Sequence, residues 1–207
     1  MSERNNNHVS PLLLAPPQVE ALRQLAGLAS SDAARSLGRL LGTSVDAETP
    51  RAQVAPRGGV SRVLQPNGPA FAVHFTVEGG ARLRWLLHFT EQGATLMGGL
   101  LLGQPVLEPL GSGVPMYTSA LAEAANIVVS SYVGGVGAAV GVTLVPSIPH
   151  VEVGPLDRAL QACFGDLDSA LLLVTDLRLP GVRNAGRIVA APEADSLSRL
   201  LKLLGAA

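Results

Sequence analysis

A single cysteine, Cys163, leaves this chain unable to build an intrachain disulfide framework or a cysteine-cluster zinc site, which suits a reducing compartment. With no reactive motif around it and Phe164 beside it, Cys163 reads as a small buried thiol. Lysine is equally scarce. Lys202 stands beside 14 arginines and 16 acids, and the resulting charge of −1 offers no basic stripe for nucleic acid. The four histidines follow no metal-ligand spacing, so no metal site is expected. His74 and His88 fall on the polar faces of adjacent predicted strands and are expected to face solvent, and His8 and His150 carry no signal either. Charge is missing altogether from Ala124 to Pro149, a stretch long enough to cross a bilayer. Four glycines, two prolines and the Ser130-Ser131 pair lower its apolarity per turn, and no membrane insertion is expected. The polar opening Met-Ser-Glu-Arg-Asn-Asn-Asn-His and the brief Leu12–Leu14 run predict no export signal and a cytoplasmic location. What the chain does have is apolar material: 47% hydrophobic residues and a mean hydropathy of +0.34, ample for a folded core.

The most specific pattern is Ser119, Glu123 and Asn126, with Pro149 following after 22 intervening residues. At about 100° per residue, positions i, i+4 and i+7 share one arc of a helix, while Leu121, Ala125, Val128 and Tyr132 occupy the opposite face. An acid and a carboxamide would then project together, an arrangement suited to holding a water. Gly134-Gly135-Val136-Gly137 lies near the end of the same helix, so close helix packing explains it better than a phosphate loop does.

The frame around this helix is written twice. Gln24 to Gly27 lies against Glu123 to Asn126, Gly42 against Gly141 and Pro50 against Pro149, all 99 residues apart, and Leu101-Leu102-Gly103 answers Leu203-Leu204-Gly205. A helix is predicted from about Gln18 to Leu41, with Gly42 as its C-cap, then a strand over 45–54. Strict alternation from Phe71 to Val77 and from Leu83 to Phe89, turned at Gly79-Gly80, predicts a hairpin. Thr90 caps a helix to Leu102. The second copy repeats the order as helix 117–140, strands 142–152, 169–177 and 184–191, and helix 193–204. The expected fold is α/β (α+β): pseudo-twofold duplicated α-β-β-β-α units sharing a mainly antiparallel sheet, with two long helices displayed on one side. A flexible tail over 1–15 precedes one domain, 16–207, made of the halves 16–103 and 116–205 around a Gly/Pro-rich linker at 104–115.

These residues resemble the CheC/CheX/FliY chemotaxis phosphatases, whose pattern is an acid or Ser, three residues, Glu, two residues, Asn, 22 residues and Pro. Ser119, Glu123, Asn126 and Pro149 match it, the duplication spans nearly the whole chain, and the length is similar to that of CheC. The resemblance implies hydrolysis of the aspartyl phosphate of a CheY-like response regulator, which itself supplies the phosphorylated Asp and Mg²⁺. The chain would need no cofactor of its own. Asn126 would orient the attacking water, Glu123 would dock on the regulator's lysine, Ser119 would be a peripheral contact and Pro149 would be structural. The first copy departs from the pattern: Glu20, Gln24 and Gly27 replace the triad, so that site reads as degenerate, through Gln24 and Gly27, and the chain as a single-site monomer. Gly27 has no side chain to hold water, and inside a helix glycine costs about 1 kcal/mol against alanine. Two other classes stay open: an adaptor for a CheD-like deamidase, and a flagellar-switch component similar to the FliM middle domain.

Overall fold

A computed structural model describes residues 13–65, 68–105 and 115–206. Most of the expected tail (1–12) and of the expected linker (106–114) therefore lies outside the described residues. The first run of elements is α1 (Pro16–Leu41), β1 (Asp46–Ala47), β2 (Arg51–Pro56), α2 (Val60–Leu64), β3 (Pro69–Gly79), β4 (Leu83–Thr90) and α3 (Glu91–Leu102). The second run has the same order: α4 (Pro115–Val140), β5 (Leu144–Pro146), β6 (His150–Pro155), α5 (Leu156–Phe164), β7 (Ser169–Leu179), β8 (Val182–Pro192) and α6 (Ala194–Leu203).

All described strands join one antiparallel sheet, in the order β1-β7-β8-β4-β3-β5, with β2 pairing on β7 and β6 pairing on β3. The two halves exchange edges. The short strands of the first half extend the second half's hairpin, and those of the second half extend the first half's. The central seam is β4 on β8, from Leu83↔Pro192 to Phe89↔Gly186. Each half thus lacks a complete sheet without the other, which makes the duplication one structural unit.

Alternation along the strands sorts side chains onto two faces. Phe71, Phe75, Trp85, Leu87, Phe89 and Ile188 face one cluster, closed by α1, α3, α4 and α6. Ala72, Leu86, Leu172, Val174 and Val189 face a second, smaller cluster covered by α2 and α5. Trp85 is wholly buried between Phe75 and Tyr132, with ring centroids 5.6 and 5.8 Å away. Burying such large side chains contributes about 1.5–3 kcal/mol each, so this layer dominates the stability of the fold.

The α-β-β-β-α frame holds, with two refinements. Each strand predicted after a long helix is broken in two around its proline, β1/β2 at Pro50 and β5/β6 at Pro149, because proline has no N–H to give the ladder. Each break is followed by a short helix, α2 or α5, that the frame does not include. These helices cover the face on which His88 was expected to meet solvent. His88 is instead 7% exposed, and the expectation is corrected: with a second layer present, the face that reads as polar in β4 is largely interior. His74 is half-buried and stacks on His150 across the β3–β6 pair, with centroids 5.1 Å apart.

Helix ends follow their chemistry. Gly42 closes α1 in the left-handed conformation (φ 66°). Thr90 Oγ1 accepts from the Gly93 N–H at 3.1 Å, the cap expected for α3. Cys163 is buried in the smaller cluster, and desolvation pushes its thiol far up from the ordinary range, so it behaves as a packing residue.

Candidate functional site

The position of the candidate site follows from how α4 buries itself. Leu121, Ala124, Ala125, Val128, Val129 and Tyr132 point into the core at 2% exposure or less. Helical geometry then leaves the opposite arc outward, and there Ser119 and Glu123 are exposed and Asn126 is half-buried. The apolar character of α4 comes from this core role. Tyr117–Val140 is long and apolar enough to cross a membrane by composition, yet one side of it packs on α1 and the sheet.

Close packing with α1 fixes the helix. At Gly135 an added Cβ would lie 3.2 Å from the Ala29 Cα, so the two backbones approach closely there. Ser131 Oγ donates to Ser36 Oγ at 2.8 Å between the same helices. A rigid α4 presents its outward side chains in a set geometry, as a positioning site requires.

Glu123 and Asn126 meet on that surface. Asn126 Nδ2 lies 3.4 Å from Glu123 Oε2, a long hydrogen bond that leaves most of the hydrogen-bonding capacity of both groups free for a partner. Ser119 lies one turn before Glu123, at the edge of the same arc. Pro149 is half-buried in the break between β5 and β6. The structure thus brings Glu123 and Asn126 together, with Ser119 exposed beside them. Among the described residues no group of three His, Cys, Asp or Glu side chains is arranged to hold a metal ion.

The corresponding stretch of α1 is built differently. Glu20 receives Arg23 through Nη2 at 2.6 Å and Nε at 2.7 Å, and Gln24 Nε2 donates to it at 2.9 Å. The Arg23 hydrogen bonds, helped by Gln24, hold the Glu20 carboxyl down at about 2. Arg23 and Gln24 are therefore engaged within the helix. Gly27 faces Pro50, whose Cδ would lie 3.6 Å from an added Cβ, and no side chain fills that space. The result is an open cleft of about 480 Å³ among Arg23, Gln24, Gly27, Leu28, Ala47, Glu48, Thr49 and Pro50. Sequence reasoning found Gln24 and Gly27 but not the Glu20–Arg23 clamp, although the i, i+3 spacing of an acid and an arginine was there to see.

FliY of Thermotoga maritima superposes with a TM-score of 0.77 over 94% of this chain and 98% of that one, at 17% identity. The chain has the CheC/CheX/FliY-type fold. CheX of Desulfovibrio desulfuricans matches this fold with a TM-score of 0.57, 14% identity and coverage of 82% and 99%. The FliM middle domain of H. pylori matches with 0.68, 13% identity and coverage of 92% and 99%. At these identities the likeness is one of fold. No protein-family model and no curated protein matches the sequence. Within the CheC/CheX/FliY-type fold, the outward arc of α4 presents Ser119, Glu123 and Asn126.

Proposed function

We propose that this chain accelerates hydrolysis of the aspartyl phosphate on a CheY-like response regulator in chemotaxis signalling. The observation that carries the reading is the pairing of Glu123 with Asn126 on the outward face of a rigid, buried helix, at positions where α1 has Gln24 and Gly27. Phosphoryl transfer to water depends mainly on positioning and on charge stabilisation. The regulator supplies the phosphorylated Asp and Mg²⁺, and this chain adds an amide. Asn126 orients the water in line with phosphorus, because a carboxamide both donates and accepts hydrogen bonds and brings no negative charge to the phosphoryl oxygens. Glu123 docks on the regulator's lysine through a charge-assisted hydrogen bond. Ser119 touches the rim of the same contact. The protein works as a cytoplasmic monomer with one site, on α4.

A second reading is that of a non-catalytic adaptor, toward a CheD-like deamidase or the flagellar switch. It is favoured by the match to FliM of H. pylori in a FliG–FliM complex, with a TM-score of 0.66 over 91% of this chain. One experiment separates the two. Decay of a phosphorylated regulator is followed with wild-type protein, Asn126→Ala and Glu123→Gln. The phosphatase reading requires acceleration by wild type that Asn126→Ala loses while regulator binding persists. Binding without acceleration favours the adaptor.

A further inference from the structure

On the sheet face away from α4, a polar row crosses three strands. His88 of β4 is paired with Arg187 of β8, and Arg187 with Asp176 of β7. Arg187 Nε donates to Asp176 Oδ1 at 2.5 Å and Nη1 donates to the Leu64 carbonyl at 3.1 Å. Arg51 Nη2 reaches the other Asp176 oxygen at 2.7 Å. Burial alone would raise the Asp176 carboxyl, but the two guanidinium groups outweigh it and hold it below its usual range. The row therefore carries two arginines against one carboxylate.

A cavity of about 150 Å³ opens beside this row, lined by His88, Arg187, Asp176, Asn184, Gln65 and Leu156, among others. Three features mark it as a place for a ligand. His88 is 93% buried, and its Nδ1 has no hydrogen-bond partner. Unpaired buried nitrogens are uncommon because each forfeits its hydration. The first turn of α5 begins at Leu156 in the cavity wall, where Pro155 gives it no side-chain cap, so the positive end of the helix stands beside the cavity, offset in part by Asp157 in the same turn. Arg187 also keeps its Nη2 without a protein partner among the described residues.

The other half gives an internal contrast. Counted from the helix after each strand, Arg84 in β4 holds the position of Arg187 in β8. Arg84 is satisfied at both ends by carboxylates, Nε on Glu193 at 3.0 Å and Nη2 on Asp166 at 2.9 Å. Arg187 lacks the second acid, and a cavity stands there instead.

We infer that this cavity binds a small free oxyanion of the size of inorganic phosphate, held by Arg187 Nη2 and the His88 imidazole beside the positive end of α5. A free anion fits better than a phosphoryl group on a larger molecule, because the volume leaves little room beyond the anion itself. The site is separate from the outward arc of α4 and does not depend on the proposed phosphatase reaction.

The test is to titrate the full chain with inorganic phosphate at constant ionic strength, following the histidine ring nitrogens by NMR, with sodium chloride as control. A saturable millimolar shift of the His88 resonances, absent with chloride, is expected. His88→Leu should weaken phosphate binding about tenfold or more, judged by thermal stabilisation, since one directed hydrogen bond to a charged group is worth that much. Arg187→Gln should abolish binding. Because that variant strips Asp176 of a partner and can lose stability, His88→Leu, which leaves the ion pairs intact, is the deciding variant. Arg178→Gln, at an exposed arginine paired with Glu48, should bind phosphate as wild type does. No shift at His88, full phosphate binding by His88→Leu, or tighter binding of glycerol phosphate than of inorganic phosphate would each overturn the inference.

Discussion

Helices α1 and α4 are each 26 residues long, bury a continuous small-residue and leucine or valine face in the same core, and are followed by a proline-broken strand. Their outward faces differ. At the three matched positions α4 has Ser119, Glu123 and Asn126, and α1 has Glu20, Gln24 and Gly27. In α1 the acid is one turn earlier, bound by Arg23 and Gln24, and a cleft stands where an amide would reach. In α4 the acid has, among the described residues, the long contact to Asn126 alone. Both helices bury a face in the same core, and α1 does so without the Glu123–Asn126 pair, so packing does not require it. Selection for something at the surface is the simplest source of the difference.

The contrast can be broken most sharply at Asn126. Asn126→Ala should lower acceleration of regulator dephosphorylation on the order of 100-fold, the scale for removing one positioned polar group from a transition state, with regulator binding largely kept. Gln24→Ala should leave the rate unchanged, and an equal loss there would end the distinction between the halves. Glu123→Gln should weaken regulator binding about tenfold, by loss of a charge-assisted hydrogen bond, read as a rise in KM.

The sheet face away from these helices supplies a pH test of the second asymmetry. Burial, with the Arg187 charge adding to it and Asp176 opposing, pushes the His88 imidazole down to about 3 from its ordinary 6.5. The unfolded chain therefore binds a proton that the folded one does not, and stability present above pH 6.5 is lost as pH falls toward 3. The contribution of this residue is up to about 1.4 kcal/mol per pH unit. Denaturant melts across that window should show the slope, and His88→Leu should flatten it.

Gly27→Ala should stabilise the fold by about 0.5–1 kcal/mol in denaturant melts, because an added Cβ meets Pro50 only at ordinary contact distance. It should not change the rate. The smallest effect is expected from building the α4 pair into α1: Gln24→Glu with Gly27→Asn should raise the rate per chain by at most about twofold, as a second independent site would. The Arg23–Glu20 clamp beside the graft will hold the gain below that ceiling unless Arg23→Ala, the residue type at Ala122, is added.

Much of the fold was legible because it rests on local periodicity. The β3–β4 hairpin is one-sided on its aromatic face, and Phe71 to Val77 against Leu83 to Phe89 announces it. Thr90 and Gly42 mark helix ends through chemistry acting within one turn. The frame misses α2 and α5 for different reasons. Five residues are too few for α2 to show a period. Helix α5 does carry a signal, with Leu156, Ala159, Leu160, Cys163 and Phe164 at helical spacing, between segments that read as strands. Missing that layer misplaced His88. The arc of α4 was legible, since Ser119, Glu123 and Asn126 lie on one helix, whereas the His88–Arg187–Asp176 row was not, since its members come from three strands.

The sequence by itself determined the two-copy frame, the buried and outward faces of α4, and the helix that carries the Glu123–Asn126 pair. Each of these depends on residues within a few turns or on an internal repeat, and side-chain period is enough to read them. Only the tertiary structure decided that the halves exchange edge strands, that a second helical layer buries His88, and that Arg187 meets Asp176 and an open cavity while Arg84 meets two acids. Those outcomes depend on strand register and on which surfaces cover one another, and they join residues as far apart as Arg51 and Asp176.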